Sequence, residues 1–254
     1  MKHLGLQLWT IRDVIKDEEQ VKFAFSEAAK YGYDEIETAG FPIPPERLNQ
    51  IARENGLTII SSHIGWNEIE ADPDGVIARS KMFGSKFIGS GYRMETKEEV
   101  LAFIEKANAF GRKCAGAGIK FVYHNHSQEF MKTSEGRTRY SYLMEGLDFS
   151  CTSLELDTYW AQHGGMDVRA LLEQLRGKID VLHLKDMAAH LYRDGENPDI
   201  TEIGNGNLNF AGIIPLAESL DVEHYIVEQD RNWKVSPLES AKESAAYLRA
   251  NFGF

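Results

Sequence analysis

The chain has little cysteine, little proline and a deficit of basic charge. Cys114 and Cys151 are the only two cysteines in 254 residues. Neither sits in a CxxC pair or a Cys/His cluster, which excludes a disulfide framework and a thiolate zinc site. They read as free buried thiols of a reducing compartment, and the expected location is the cytoplasm. The first residues carry an apolar run broken by Gln7 and Arg12, unlike a secretory signal. No stretch approaches the roughly 18 apolar residues of a bilayer span. Seven prolines and no Pro- or Gly-rich linker argue for one domain over residues 1–254. Lysine and arginine number 28 against 39 aspartates and glutamates, a net charge of −11. Such a surface repels phosphate backbones and anionic lipid, so neither nucleic acid nor a membrane is an expected partner.

What is present is alternation. Short apolar runs at Leu4–Trp9, Glu35–Thr38, Leu57–Ser62, Lys86–Gly89, Ile119–His124, Cys151–Asp157, Ile179–Lys185 and His224–Glu228 are separated by longer helical stretches. Helix signals include the apolar face of Glu18–Tyr31 and Pro44-Pro45 opening a helix that closes near Gly56. Asp72-Pro73 is an N-cap with proline in the first turn, and Thr96-Lys97-Glu98-Glu99 is a capping box whose helix runs to about Ala117. A last helix covers about Pro237–Asn251. Eight βα units at a mean spacing of about 32 residues predict a (β/α)8 barrel, fold class α/β. A doubly wound sheet would carry a glycine-rich turn after the first strand, and Leu8-Trp9-Thr10-Ile11-Arg12 is nothing like GxGxxG.

In such a barrel the active site lies at the carboxyl ends of the strands. Polar residues concentrate there: Gln7 and Trp9, Glu35 and Glu37, His63, His124 and His126, Glu155 and Asp157, His183 and Lys185, Glu228. Members of each pair are two apart and share a face. With that face inward, His124, Asp157, His183 and Glu228 converge from four consecutive strands. Two imidazoles and two carboxylates suit one divalent ion, Mn²⁺, Zn²⁺, Co²⁺ or Fe²⁺. A hydrogen-bonded polar layer without metal is the plainer alternative.

These residues carry a resemblance. Gly5-Leu6-Gln7-Leu8-Trp9-Thr10-Ile11-Arg12-Asp13, Tyr123-His124-Asn125-His126 with Glu129-Phe130, Leu156-Asp157-Thr158-Tyr159-Trp160, His183-Leu184-Lys185-Asp186, Gly204-Asn205-Gly206 and Glu228-Gln229-Asp230 resemble the sugar phosphate isomerase/epimerase family of xylose isomerase-like barrels. That family includes inosose dehydratases and ketose 3-epimerases. The resemblance implies a metal held by Glu, Asp, His and Glu from strands five to eight, of which the last three fall on Asp157, His183 and Glu228. The first falls on His124, a departure, with Glu129 as second candidate if its loop folds back. The departure puts a two-base epimerase mechanism in doubt and resembles the branch of inosose dehydratases and enzymes of 3-keto sugars.

The resemblance implies an isomerase or epimerase working on a sugar or keto sugar through an enediolate, or alternatively an inosose dehydratase-like or 3-keto-glycoside lyase. Glu228 is then ligand and base, with Lys185 or His124 as the second proton carrier. Gln7, Trp9, Glu37, His63, Trp66, His126 and Trp160 are expected to line the substrate, a small carbohydrate or cyclitol. Glu155, one layer deeper, reads as a structural partner, and Asp186 as a loop cap. Gly204-Asn205-Gly206 reads as a turn before a helix near Asn207 rather than a phosphate nest. Met187–Ile203, with Arg193, reads as a lid. An endonuclease-like phosphodiesterase would need more histidine ligands, and His3, His163, His190 and His224 lie at no ligand-like positions. A barrel that only binds sugar would not need Asp157, His183 and Glu228 together. A homodimer is the expected assembly.

Overall fold

The computed structural model describes residues 2–189 and 199–254. Eight parallel strands close a barrel in the order β1-β10-β7-β6-β5-β4-β3-β2. They are β1 His3–Gln7, β2 Glu35–Ala39, β3 Thr58–His63, β4 Phe87–Ser90, β5 Lys120–His124, β6 Thr152–Asp157, β7 Ile179–Leu184 and β10 His224–Val227. Between the last two, β8 Asp186–Ala188 and β9 Asp199–Thr201 pair antiparallel. This hairpin occupies the described part of the expected lid, and Arg193 and His190 lie outside the described residues. No helix among the described residues is long and apolar enough to cross a membrane.

Helices follow the strands because their starts are written locally. Asp17 accepts the Gln20 amide at the head of α1 Glu18–Tyr31, and α2 Pro45–Glu54 opens on its proline. After α3 Trp66–Ala71, Asp72 caps α4 Pro73–Phe83. Thr96 and Glu99 form the reciprocal capping box of α5 Lys97–Gly116. Then come α6 Arg139–Gly146, α7 Thr158–His163, α8 Val168–Gln174, α9 Phe210–Ser219 and α10 Pro237–Phe252. The first strand is shorter than its apolar run: Leu8–Val14 turns into a 3-10 helix, with the Gln7 side chain accepting the Trp9 amide.

Helix faces pack on the outside of the barrel and form the main core. Inside, Ile60, Phe87, Val122, Val181 and Ile226 form a separate apolar plug. Because side chains alternate, the inward positions two residues further along β5, β7 and β10 are His124, His183 and Glu228. The plug is therefore the floor on which a polar layer stands. Register shifts at Ile36/Glu37 and Leu154/Glu155 mark the two strands that supply the deepest carboxylates of that layer. Gly89 leaves them room, since a Cβ there would meet Glu155 at 3.2 Å and Glu37 at 3.5 Å. Both cysteines are buried and unpaired.

Candidate active site

A cavity of about 660 Å³ opens at the carboxyl ends of the strands. Gln7, Trp9, His63, His124, His126, Trp160, Lys185 and Glu228 all line it, as the sequence reading expects. Asp230 and Arg231 line it too, and sequence reasoning missed both as site residues. The available signal was spacing: Asp230 stands two residues beyond Glu228 and shares its face.

The floor of the cavity is an ionic network. The Lys185 ammonium lies 2.8 Å from Glu228 Oε2, 3.1 Å from Asp157 Oδ2 and 3.0 Å from Asp230 Oδ2. Burial alone would strip its proton, but these three carboxylates hold its pKa well above the usual value. Burial likewise opposes ionisation of Glu228, yet Lys185 and His183 hold it well below the usual range. Lys185 is thus held as an ammonium and Glu228 as a carboxylate, in contact with each other.

The histidines are held from behind. His124 Nδ1 lies 2.9 Å from Glu155 Oε2, and His63 Nδ1 lies 3.2 Å from the same oxygen. His183 Nε2 lies 2.6 Å from Glu37 Oε2, and its Nδ1 lies 3.1 Å from Glu228 Oε2. Burial drives the His124 pKa well below normal, leaving a neutral imidazole. Burial also lowers His126, to about 4, helped by the charge of Lys185. His183 goes the other way: burial opposes its charge, but Glu155 and Glu37 raise it well above normal. Glu37 is lifted to about 7 by burial and by the charge of Glu155. Burial lifts Asp157 to about 6 against the pull of Lys185 and His183.

This donor set fits a divalent cation. Ligand atoms of His124, Asp157 and His183 lie within 4.8 Å of one another. His124 Nε2 faces Asp157 Oδ2 at 3.9 Å. Asp157 Oδ1 accepts the Trp160 amide at the head of α7, whereas the buried Oδ2 has no hydrogen-bond donor and only the Lys185 charge beside it. Five carboxylates (Glu37, Glu155, Asp157, Glu228 and Asp230) crowd a layer whose main cations are Lys185 and His183. A divalent ion would relieve that excess.

Three expectations need correction. Glu129 does not join the cluster: it accepts the Tyr123 hydroxyl at 2.7 Å and the His126 amide at 2.9 Å. Tyr123 and His124 are neighbours on β5 and point to opposite faces, so a carboxylate bonded to Tyr123 sits on the helix side of the strand. Trp66 does not line the cavity. It opens α3 and packs on Phe103 at 4.8 Å and Phe121 at 5.8 Å, because the amphipathic face of α5 needs cover there. Glu37 is fully buried below the cavity floor, accepting from Gln7 Nε2 and Ser61 Oγ, each at 2.6 Å. It therefore reaches His183 rather than a substrate hydroxyl.

Other expectations meet the structure directly. Glu155 stands one layer below Asp157, as a partner of three histidines. Asp186 accepts the amides of Met187, Gly204, Gly206 and Leu208, so the Gly204-Asn205-Gly206 turn is already wrapped around a carboxylate and is no phosphate nest. Asn209 caps the helix that follows. His3 and His224 stack on each other as the first residues of β1 and β10, at the far end of the barrel. His163 stacks on Tyr159. Neither placement builds a histidine-rich phosphodiesterase centre at the cavity.

Comparison with known proteins agrees with this architecture. The xylose isomerase-like TIM barrel profile matches residues 25–251. The chain belongs to that family. Within the xylose isomerase-like family it is 27% identical over 177 residues to inosose dehydratase of Mesomycoplasma hyopneumoniae (strain J), covering 61% of this chain and 55% of that one. The chain thus spans about half the length of that curated relative. A sugar phosphate isomerase/epimerase from Parabacteroides distasonis superposes with a TM-score of 0.84 at 24% identity, over 99% of this chain and 95% of that one. The IolI protein with a bound zinc atom gives 0.77 at 17% identity, over the whole of both chains. These likenesses in structure are likenesses of fold.

Proposed function

We propose that this chain is a divalent-metal-dependent enzyme that removes a proton next to the carbonyl of a sugar or cyclitol, with loss of a β-hydroxyl as its reaction. The observation that carries this reading is the 2.8 Å contact between Glu228 and Lys185 at the cavity floor. In the proposed reaction these two groups would act as proton donor and proton acceptor side by side, on the same face of a substrate. Epimerisation needs acid and base on opposite faces. The inosose dehydratase names of the curated relatives support the same choice. Isomerisation or epimerisation is the second reading, supported by His63 and His126, which line the cavity as further proton carriers.

His124, Asp157, His183 and Glu228 would hold the ion, which is Mn²⁺, Zn²⁺, Co²⁺ or Fe²⁺ on the donor set. When bound, it supplies Lewis acidity at the substrate carbonyl. Glu228 takes the α-proton as the C–H pair becomes a C=C bond and the carbonyl pair moves onto oxygen. The carbonyl re-forms, the C=C pair shifts to join Cα and Cβ, and the β-C–O pair leaves with its oxygen, which takes the Lys185 proton and departs as water. The proton on Glu228 then passes to neutral Lys185 across their direct contact. Trp9, Trp160 and His126 supply wall against the apolar face of the ring. The site would sit in one barrel domain over residues 1–254, with cytoplasmic location and no nucleic-acid or membrane partner.

Deuterium wash-in tests the first step. With Mn²⁺ supplied, inososes and keto sugars incubated in D₂O are expected to gain deuterium next to the carbonyl. Glu228→Gln is expected to slow that gain by at least about 100-fold. No wash-in across the panel would contradict the reading.

A further inference from the structure

We propose that Glu37 and Glu155 are positioning residues that set which nitrogen each metal-site histidine presents: Nε2 of His124 and Nδ1 of His183. The inference rests on the metal-dependent reading above and deepens it. Each imidazole has two chemically distinct nitrogens, and the partner of one decides which is left for an ion. Glu155 Oε2 sits 2.9 Å from Nδ1 of His124, so Nε2 points to Asp157. Glu37 Oε2 sits 2.6 Å from Nε2 of His183, so Nδ1 points to Glu228. The two rings therefore turn opposite nitrogens toward Asp157 and Glu228.

The backing is built rather than incidental. Both carboxylates are fully buried. Glu37 is fixed by Gln7 and Ser61, both at 2.6 Å, so its free motion is gone before His183 is held. Glu155 Oε2 is shared with His63, which ties a cavity-wall histidine to the same anchor. Both strands that carry these glutamates shift register at that point. Neither glutamate lines the cavity, so neither is placed to touch substrate. Charge alone would be served by a carboxylate in any orientation; a hydrogen bond to one specific ring nitrogen in each case is an orienting device.

Two readouts test this. In metal-free ¹⁵N-histidine-labelled protein, His124 is expected to be the Nδ1–H tautomer by long-range ¹H–¹⁵N correlation. Zinc, added as the probe, is expected to shift Nε2 of His124 and Nδ1 of His183. Glu37→Leu and Glu155→Leu are expected to weaken zinc binding by about 10- to 100-fold. Glu37→Gln keeps an acceptor for Nε2–H and is expected to stay within about threefold of wild type. Should a leucine variant fail to fold, Glu37→Gln and the wild-type spectra still decide. An Nε2–H tautomer for His124, zinc on Nε2 of His183, or Glu37→Gln as weak as Glu37→Leu would overturn the assignment. Failure of zinc to bind at all sinks the metal-dependent reading, and a His124 ring with no Nδ1–H tautomer sinks the positioning claim separately.

Discussion

Lys185 is the residue on which the chemistry divides. In the proposed reaction Glu228 takes the proton, and a donor beside it is what would turn enolisation into elimination. Lys185→Met keeps the length and removes the donor. It is expected to retain deuterium wash-in while losing release of water by at least about 100-fold, read by proton exchange and product formation on the same sample. Equal loss of both would place Lys185 in substrate binding instead. Single residues of this layer were legible because strand parity is strict: two-residue spacing put His124, Asp157, His183, Lys185 and Glu228 on one face. Asp230 carried the same two-residue signal but stands three residues past the end of β10, where alternation is a weaker guide than at Glu228, the first residue after the strand. Glu37 has the expected face but lies one level deeper than a substrate contact requires. Height in a barrel depends on the stagger between strands, which no single strand's pattern contains.

At the scale of elements, the misread tryptophan shows what sequence patterns leave out. The sequence expectation has Trp66 lining the substrate. It instead opens α3, only six residues long. A helix that short has too few positions to display a face, so its direction is set by α5 beneath it. Trp66→Ala is expected to cost about 3–5 kcal/mol of stability in urea unfolding while leaving metal affinity within about threefold. Normal stability with weakened substrate binding would restore the substrate role. Long helices such as α1, α5 and α10 were legible from caps and periodicity; α6, α7 and α8, at six to eight residues, were not.

The strand β9 ends beside another buried acid. Glu202 accepts from Ser240 Oγ at 2.6 Å, the Lys234 amide at 3.2 Å and Thr201 Oγ1 at 3.0 Å. Burial opposes its charge, but these donors bring its pKa down to about 2. A pKa lower in the folded chain than in the unfolded one, about 4.3, gives stability that is present above the unfolded value. That stability is lost as pH falls from about 4 toward 2. Glu202→Gln is expected to cost about 2 kcal/mol at neutral pH and much less near pH 2.5, where the unfolded-state carboxyl is almost fully protonated and keeping the folded one charged no longer stabilises the chain. The same cost at both pH values, in urea unfolding, would show that the carboxylate charge has no part in holding α10 to the β9 turn.

For the whole molecule, the barrel resolves the tension between an acidic chain and a buried acidic site. The apolar plug seals the lower lumen. Above it, carboxylates of β2, β6 and the segment just past β10 surround His183 on β7 and Lys185 just beyond it, and the balance remains negative. A net charge of −11 adds a field that draws cations to the molecule as a whole. The closed sheet, its strand count and the location of the site were legible from alternation and polar strand ends, because those follow from local periodicity. The ion itself is the central claim. Anomalous scattering from a crystal of the Mn²⁺-loaded protein tests it most directly. The account predicts one peak bounded by His124, Asp157, His183 and Glu228. An empty cluster at saturating Mn²⁺, or manganese bound only elsewhere on the chain, would contradict it.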